Sequence, residues 1–306
     1  MQRTELFQSI RSNRWKSLLL VIGLGLLVMG AGFLISYAFF GRTPLSGLIG
    51  LLIAFAVMLI MSLVSFYSGD MIMLAMSGAK EATWESHQQL HNVVQEMSIA
   101  SGLPMPRVFV IDDPSRNAYA TGRKPEKSAV AVTTGLLERL DRDELQGVIA
   151  HEMAHIGNHD ILYAMMVGVM VGTVIIIAEV AWRTIRYGRF RSRSRGKGAA
   201  AGTAIIILLA IALLILAPIF AQLIRFAISR RREYLADATG ARLTRYPEGL
   251  ARALEKIAHS GLRLKKASRA MQHLYIINPL APTKNFSALF ATHPPIDDRV
   301  ARLRSM

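Results

Sequence analysis

The stretch DELQGVIAHEMAHIGNHDILYAMMVGVMVG, Asp143 to Gly172, packs two histidines and a glutamate into five residues and then runs without a break into an apolar segment. His151 and His155 are one helical turn apart, so both imidazoles leave the same helix face, as two ligands of one tetrahedral ion require. Glu152 is offset by one position. That offset lets its carboxylate reach a water beside the ion, the place of a general base. The alternative is two surface histidines that match a short pattern, so the decision rests on whether the rest of the chain supplies a third ligand and a membrane.

Composition supplies the membrane. The chain has 306 residues, 52% hydrophobic and 19% charged, with a positive mean hydropathy, too apolar for an ordinary soluble domain. About 18 apolar residues without charge suffice for a span, and four runs qualify by length: Ser17–Phe40, Leu45–Tyr67, Ile161–Trp182 and Ala199–Ile224. The first two carry no charge. The third contains Glu179 near its end, read as snorkelling to an interface, and the fourth contains Pro218 and Gln222. The first run exceeds the roughly 7 to 15 residues of a signal-peptide apolar region and reads as a retained anchor.

The formal charge is +15, from 36 Lys plus Arg against 21 Asp plus Glu. These basic residues flank the runs (Arg11, Arg14 and Lys16; then Arg225 and Arg230 to Arg232), which fits anionic lipid headgroups. No basic-aromatic module and no Gly-rich phosphate loop is present, so neither nucleic acid nor a nucleotide is expected as partner. With no cysteine, a metal site must use nitrogen and oxygen ligands.

The runs divide the chain into 1–67, a transmembrane hairpin; 68–160, the first half of a catalytic domain; 161–224, a second membrane hairpin; and 225–306, the second half. Lys80 to Ser101 has helical spacing, with Leu90, Val93, Val94 and Met97 on one face, and stops at SGLPMP. RVFVID, NAYATG and SAVAVTTGLL read as strands. Asp141 is the expected N-cap of the helix that carries His151. His87 and His91 repeat the four-residue spacing, but Gln88 stands where a base would, and they read as one polar helix face.

The third ligand is sought among His, Glu and Asp. Asn158 and Ile161 exclude the metzincin pattern, and His159 lies about 80° round the helix from His151. In SRRREYLADATG, after the fourth run, Glu233 and Asp237 are one turn apart, so the glutamate can ligate while the aspartate orients a histidine. Alone they would read as a solvated charge pair; beside HEMAH they read as part of the site.

HEMAH, then SRRREYLAD, with NAYATG upstream and THPPIDDR near the end, resembles the HtpX family of membrane-bound zinc endopeptidases, relatives of the CAAX-type prenyl proteases. The resemblance covers essentially the whole chain. It implies an α-helical integral membrane protein with an α+β zincin-like metalloprotease domain: two transmembrane helices, and a further hairpin inserted in the catalytic domain. It implies one zinc per chain on His151, His155 and Glu233, with Glu152 as base and Asp237 behind a ligand. Asn117 and Ala118 would hold extended substrate on an edge strand. His293 and Arg299 would steady the oxyanion; the other reading of that pair is a helix cap and a solvated arginine.

The implied substrates are damaged or misfolded membrane proteins, cut without ATP at the cytoplasmic face of a bacterial inner membrane. The rivals are a narrow-specificity processing protease of the CAAX type and a non-enzymatic membrane scaffold with a structural metal. The basic N-terminus and the short loop Gly41–Pro44 place the catalytic halves in the cytoplasm. If the last two runs span, however, the loop from Arg183 to Lys197 emerges on the far side with seven basic residues, against the charge rule. Either the apolar runs override that bias or the hairpin is re-entrant or packed along the surface; each run is long enough to cross, and spanning is the expectation.

Overall fold

The computed structural model describes residues 43–158, 160–161, 232–259, 264, 274–277 and 293–306, with scattered positions between 15 and 37 and position 212. The expected spans 161–182 and 199–224, the loop between them and His159 lie outside the described residues, apart from Ile161 and position 212. The chain forms two compact units: one comprises residues 1–11, 65–165 and 225–306, the other 12–64 and 166–224.

In the second unit, described positions of the first apolar run are helical and approach the helix Pro44–Ser77 at small residues. A Cβ on Gly50 would stand 2.1 Å from Ser36 Cβ, and one on Gly32 would stand 2.7 Å from the Gly50 carbonyl oxygen. Ser36 Oγ donates to the Ser46 carbonyl across 2.6 Å. Small residues and a polar clasp are how apolar helices associate where burial of apolar surface gives no net drive. The helix Pro44–Ser77 has 34 residues, about 51 Å at 1.5 Å each, and is the one described helix long and apolar enough to cross a membrane. It runs ten residues past Tyr67, where the apolar run ends, because nothing breaks it before Gly78, whose φ of 71° belongs to glycine.

The first unit is built on a four-stranded sheet in the order β1-β2-β4-β3, with β1 Ala79–Glu81, β2 Arg107–Ile111, β3 Ala118–Gly122 and β4 Ser128–Thr133. β2 and β4 are parallel; β1 on β2 and β3 on β4 are antiparallel. The central strand β4 is buried along its length, which suits its continuous small and β-branched residues. Its sequence run does not continue as strand to Leu137: Thr134–Leu137 is one helical turn, which allows Gly135 to pass the Pro114 carbonyl where a Cβ would stand at 2.0 Å.

The helix expected from Lys80 begins only at Gln88. Lys80 and Glu81 pair with Val110 and Phe109 of β2 instead, and Thr83 and Ser86 turn the chain through side-chain hydrogen bonds. From Gln88 the expected face, Leu90, Val93, Val94 and Met97, is buried.

The helix Arg142–Gly157 starts at the expected N-cap, Asp141, and the structure adds a capping box: Asp141 Oδ1 accepts from Glu144 N, and Glu144 Oε2 accepts from Asp141 N, both at 2.9 Å. Lys256, on the helix Pro247–Ala258, reaches Glu144 Oε2 at 2.7 Å. The two helices meet backbone to backbone at Gly147, where a Cβ would stand 2.6 Å from Leu250 N. Gly147→Ala is therefore expected to lower stability by about 1–3 kcal/mol, more than the helix propensity it gains. Thermal unfolding of the detergent-solubilised chain measures this; an unchanged Tm would mean the helices part at no cost.

Candidate active site

Three separate segments converge: the helix Arg142–Gly157 with His151, Glu152 and His155, the helical residues 232–244 with Glu233 and Asp237, and residues 293–306 with His293 and Arg299. His151, Glu152, Glu233, Asp237, His293 and Arg299 are all buried. One glycine sets the helix separation. On the 232–244 helix, Glu233, Asp237 and Gly240 follow i, i+4, i+7 and share a face. A Cβ on Gly240 would sit 3.1 Å from His151 N, so the two ligand-bearing helices touch at the first histidine.

The expected metal ligands lie together. His151 Nε2 and His155 Nε2 stand 3.2 Å apart; Glu233 Oε2 is 3.7 Å from the first and Glu233 Oε1 3.6 Å from the second. Ligands at about 2.05 Å on a tetrahedral ion stand about 3.3 Å from one another; the two histidines meet that spacing, the glutamate offers one oxygen near each, and one ligand atom from each residue lies within 4.8 Å of the others. His151 Nδ1 is 2.9 Å from Asp237 Oδ1 and His155 Nδ1 is 3.3 Å from Asp160 Oδ2. A proton on each Nδ1, favoured by the carboxylate beside it, would leave both Nε2 atoms free to ligate one ion. Two Nε2 atoms at 3.2 Å either share a proton or ligate one ion between them. The residues fit a metal.

Sequence reasoning missed Asp160, treated there as a segment boundary, and Arg232, treated as flanking charge. Arg232 Nε is 3.4 Å from Asp160 Oδ1, and Arg232 Nη1 donates to the Asp160 carbonyl at 3.4 Å. Asp160 lies past the helix end, so no periodicity links it to His155; the usable signal was a carboxylate five residues beyond a ligand histidine. Asp160→Asn is expected to weaken metal binding by about 10–100-fold with a folded chain, read by competition with a chromophoric chelator. Native affinity in the variant would show that His155 needs no such partner.

Glu152 receives a hydrogen bond from the Ala120 main-chain N–H on β3, and burial, opposed chiefly by His155, pushes its carboxyl up to about 7. Its Oε1 has no hydrogen-bond partner among the described residues. The Glu233 carboxyl also pays for burial, yet His293 and Arg299 hold it well below the usual carboxylate range.

His293 Nδ1 lies 3.2 Å from Glu233 Oε2; it is no helix cap, since Pro295 holds that position. Arg299 is not solvated. Its Nε and Nη2 donate to both oxygens of Asp237 at 2.8 and 2.7 Å, and Nη1 donates to the Ile276 carbonyl at 3.2 Å and stands 3.3 Å from Glu233 Oε2. Its donors are thus directed at Asp237 and Glu233, two of the residues expected at the metal site.

β3 is an edge strand, and its two ends differ. Ile276 N–H donates to the Ala118 carbonyl at 2.9 Å, Asn117 Nδ2 donates to the Ile277 carbonyl at 2.9 Å, and the Asn117 carbonyl accepts from Thr133 N. The main chain at Asn117 and Ala118 is thus engaged by the protein itself, and Ala120 faces Glu152.

The model of the peptidase family M48 matches residues 85–306. A protease HtpX homolog of Dictyoglomus thermophilum is 42% identical over 300 residues, covering 98% of this chain and 94% of that protein. One from Listeria monocytogenes serotype 4a is 40% identical over 307 residues, covering 98% and 100%. The crystal structure of S. mikatae Ste24p is similar in fold, with a TM-score of 0.51 at 19% identity over 98% of this chain and 67% of that one.

Proposed function

Because the chain belongs to peptidase family M48, and within it to the HtpX proteases, we propose that its buried site hydrolyses peptide bonds of membrane proteins at the cytoplasmic face of a bacterial inner membrane. The chain is a zinc-dependent metalloendopeptidase of membrane protein quality control; the residue roles and the side of the membrane are our reading. The observation that carries it is the His151, His155 and Glu233 cluster, its two Nε2 atoms 3.2 Å apart and a carboxylate oxygen 2.9 or 3.3 Å from each Nδ1. His151, His155 and Glu233 would hold one zinc ion, which when bound polarises the scissile carbonyl and acidifies a water.

The chain's own residues do the rest. Glu152, offset from the ligands, takes the proton from the attacking water and returns it to the departing amine. Asp237, gripped by Arg299, orients His151; Asp160 orients His155. Asn117 and Ala118, tied to Ile276 and Ile277, anchor the root of the edge strand, and extended substrate pairs beyond them, toward Gly122. His293, with Nδ1 3.2 Å from Glu233 Oε2, would meet a developing oxyanion.

The test is a paired assay in detergent of bound zinc per chain and cleavage of an unfolded protein. One zinc, with cleavage blocked by a chelator and restored by added zinc, is expected. Bound zinc without cleavage of any unfolded or membrane protein would overturn the quality-control reading in favour of a narrow processing protease.

A further inference from the structure

Strand β3 is laid along the C-terminal end of the long apolar helix and runs back toward the helix's uncharged part. Tyr119 Oη is 2.7 Å from Ser77 Oγ, Thr121 Oγ1 is 3.8 Å from Met73 Sδ, and the Arg123 guanidinium lies over both Phe66 and Tyr67, 5.1 and 4.8 Å from the ring centroids. From Tyr119 to Arg123 the strand covers about 14 Å; from Ser77 back to Phe66 the helix covers about 16 Å. Strand and helix therefore keep pace in opposite senses.

The level that Arg123 reaches follows from the helix. No charge interrupts it from Pro44 to Gly69, and the hydrocarbon core of roughly 30 Å takes up about 20 residues. A core entered at Leu45 thus ends near Ser65. Phe66 and Tyr67 fall at the interface, the station of aromatic belts. Asp70, the first charge on the helix, lies beyond and pairs with Arg107 at 3.1 Å. Lys124 and Lys127, in the turn that follows β3, are exposed; so is Glu126, the turn's one acid. A cation over a ring uses its face and keeps its N–H edge for phosphate oxygens.

We propose that the turn Arg123–Lys127 is a binding site for the phosphate of anionic phospholipid headgroups, with Arg123 set in place by Phe66 and Tyr67 and flanked by Lys124 and Lys127. The turn seats the edge strand on the bilayer surface. Ala120, whose N–H meets Glu152, is three residues and about 10 Å from Arg123, so a polypeptide leaving the lipid meets the catalytic edge within a few residues. The proposal rests on Pro44–Ser77 spanning the membrane and is independent of the peptidase reading.

The test uses the full chain in phosphatidylcholine nanodiscs with and without a minor fraction of phosphatidylglycerol, followed by amide hydrogen exchange over residues 117–128. Expected is slower exchange with phosphatidylglycerol, by about fivefold for each basic side chain engaged, erased by high salt and by Lys124→Glu with Lys127→Glu. Arg123→Ala serves as a second variant, and a native Tm in detergent shows that each variant is folded. Equal exchange in both lipids would overturn the proposal, as would native-like protection in the folded variants. Equal protection by inorganic phosphate in detergent would replace the lipid with a free anion. Rapid exchange along residues 45–65 in the nanodisc would remove the spanning premise itself, whatever the peptidase assay gives.

Discussion

Glu152→Gln should bind one zinc per chain, fold as the native protein does and cleave an unfolded substrate about 10²–10⁴-fold more slowly. The amide keeps the size of the side chain and can still accept from the Ala120 N–H, so the edge strand has no reason to move. What it loses is the proton acceptor beside the attacking water. Because burial already pushes this carboxyl up to about 7, a neutral side chain is no burden to the fold, and Tm should hold or rise slightly. Native turnover in Glu152→Gln would end its assignment as base. Loss of zinc together with turnover would instead recast Glu152 as part of the metal's surroundings.

The second large effect is expected at Arg299. Arg299→Met leaves Asp237 and Glu233 buried together without their shared guanidinium. Removing one partner from a buried charge cluster costs about 3–5 kcal/mol, which corresponds to a fall in Tm of roughly 6–20 °C for a domain of this size. Zinc affinity should fall with it, because Asp237 would no longer be held against His151 Nδ1. Arg299→Lys should recover the charge but not the two-pronged grip on Asp237, and so regain part of the stability and less of the affinity. An arginine that served only the oxyanion would behave differently: kcat would drop while Tm and zinc affinity stayed native. That pattern would reject the clamp and reinstate the oxyanion role given to this residue on sequence grounds.

The sequence carried the local elements well where one period dominated. Leu90, Val93, Val94 and Met97 gave a helix face that is buried, and Asp141 gave an N-cap that forms, with the reciprocal bond from Glu144 seen only in the structure. It failed where a local preference lost to a distant partner. Lys80 and Glu81 join the sheet because β2 has an edge to offer; the Thr134–Leu137 turn exists because Gly135 must pass the Pro114 carbonyl. Neither partner is visible within a window of a few residues.

For the site, the sequence by itself determined which side chains could ligate: a four-residue spacing puts His151 and His155 on one helix face, and the same spacing aligns Glu233 with Asp237. It also determined that long apolar segments adjoin both pairs. Only the tertiary structure decided what holds those ligands in place. Asp160 lies beyond the end of the helix that carries His155, Arg299 comes from the far end of the chain, and Gly240 acts by the side chain it lacks. Helical periodicity reports on faces of a single element, whereas the tautomer of each histidine and the closeness of the two ligand helices are set by groups that meet only when separate elements pack.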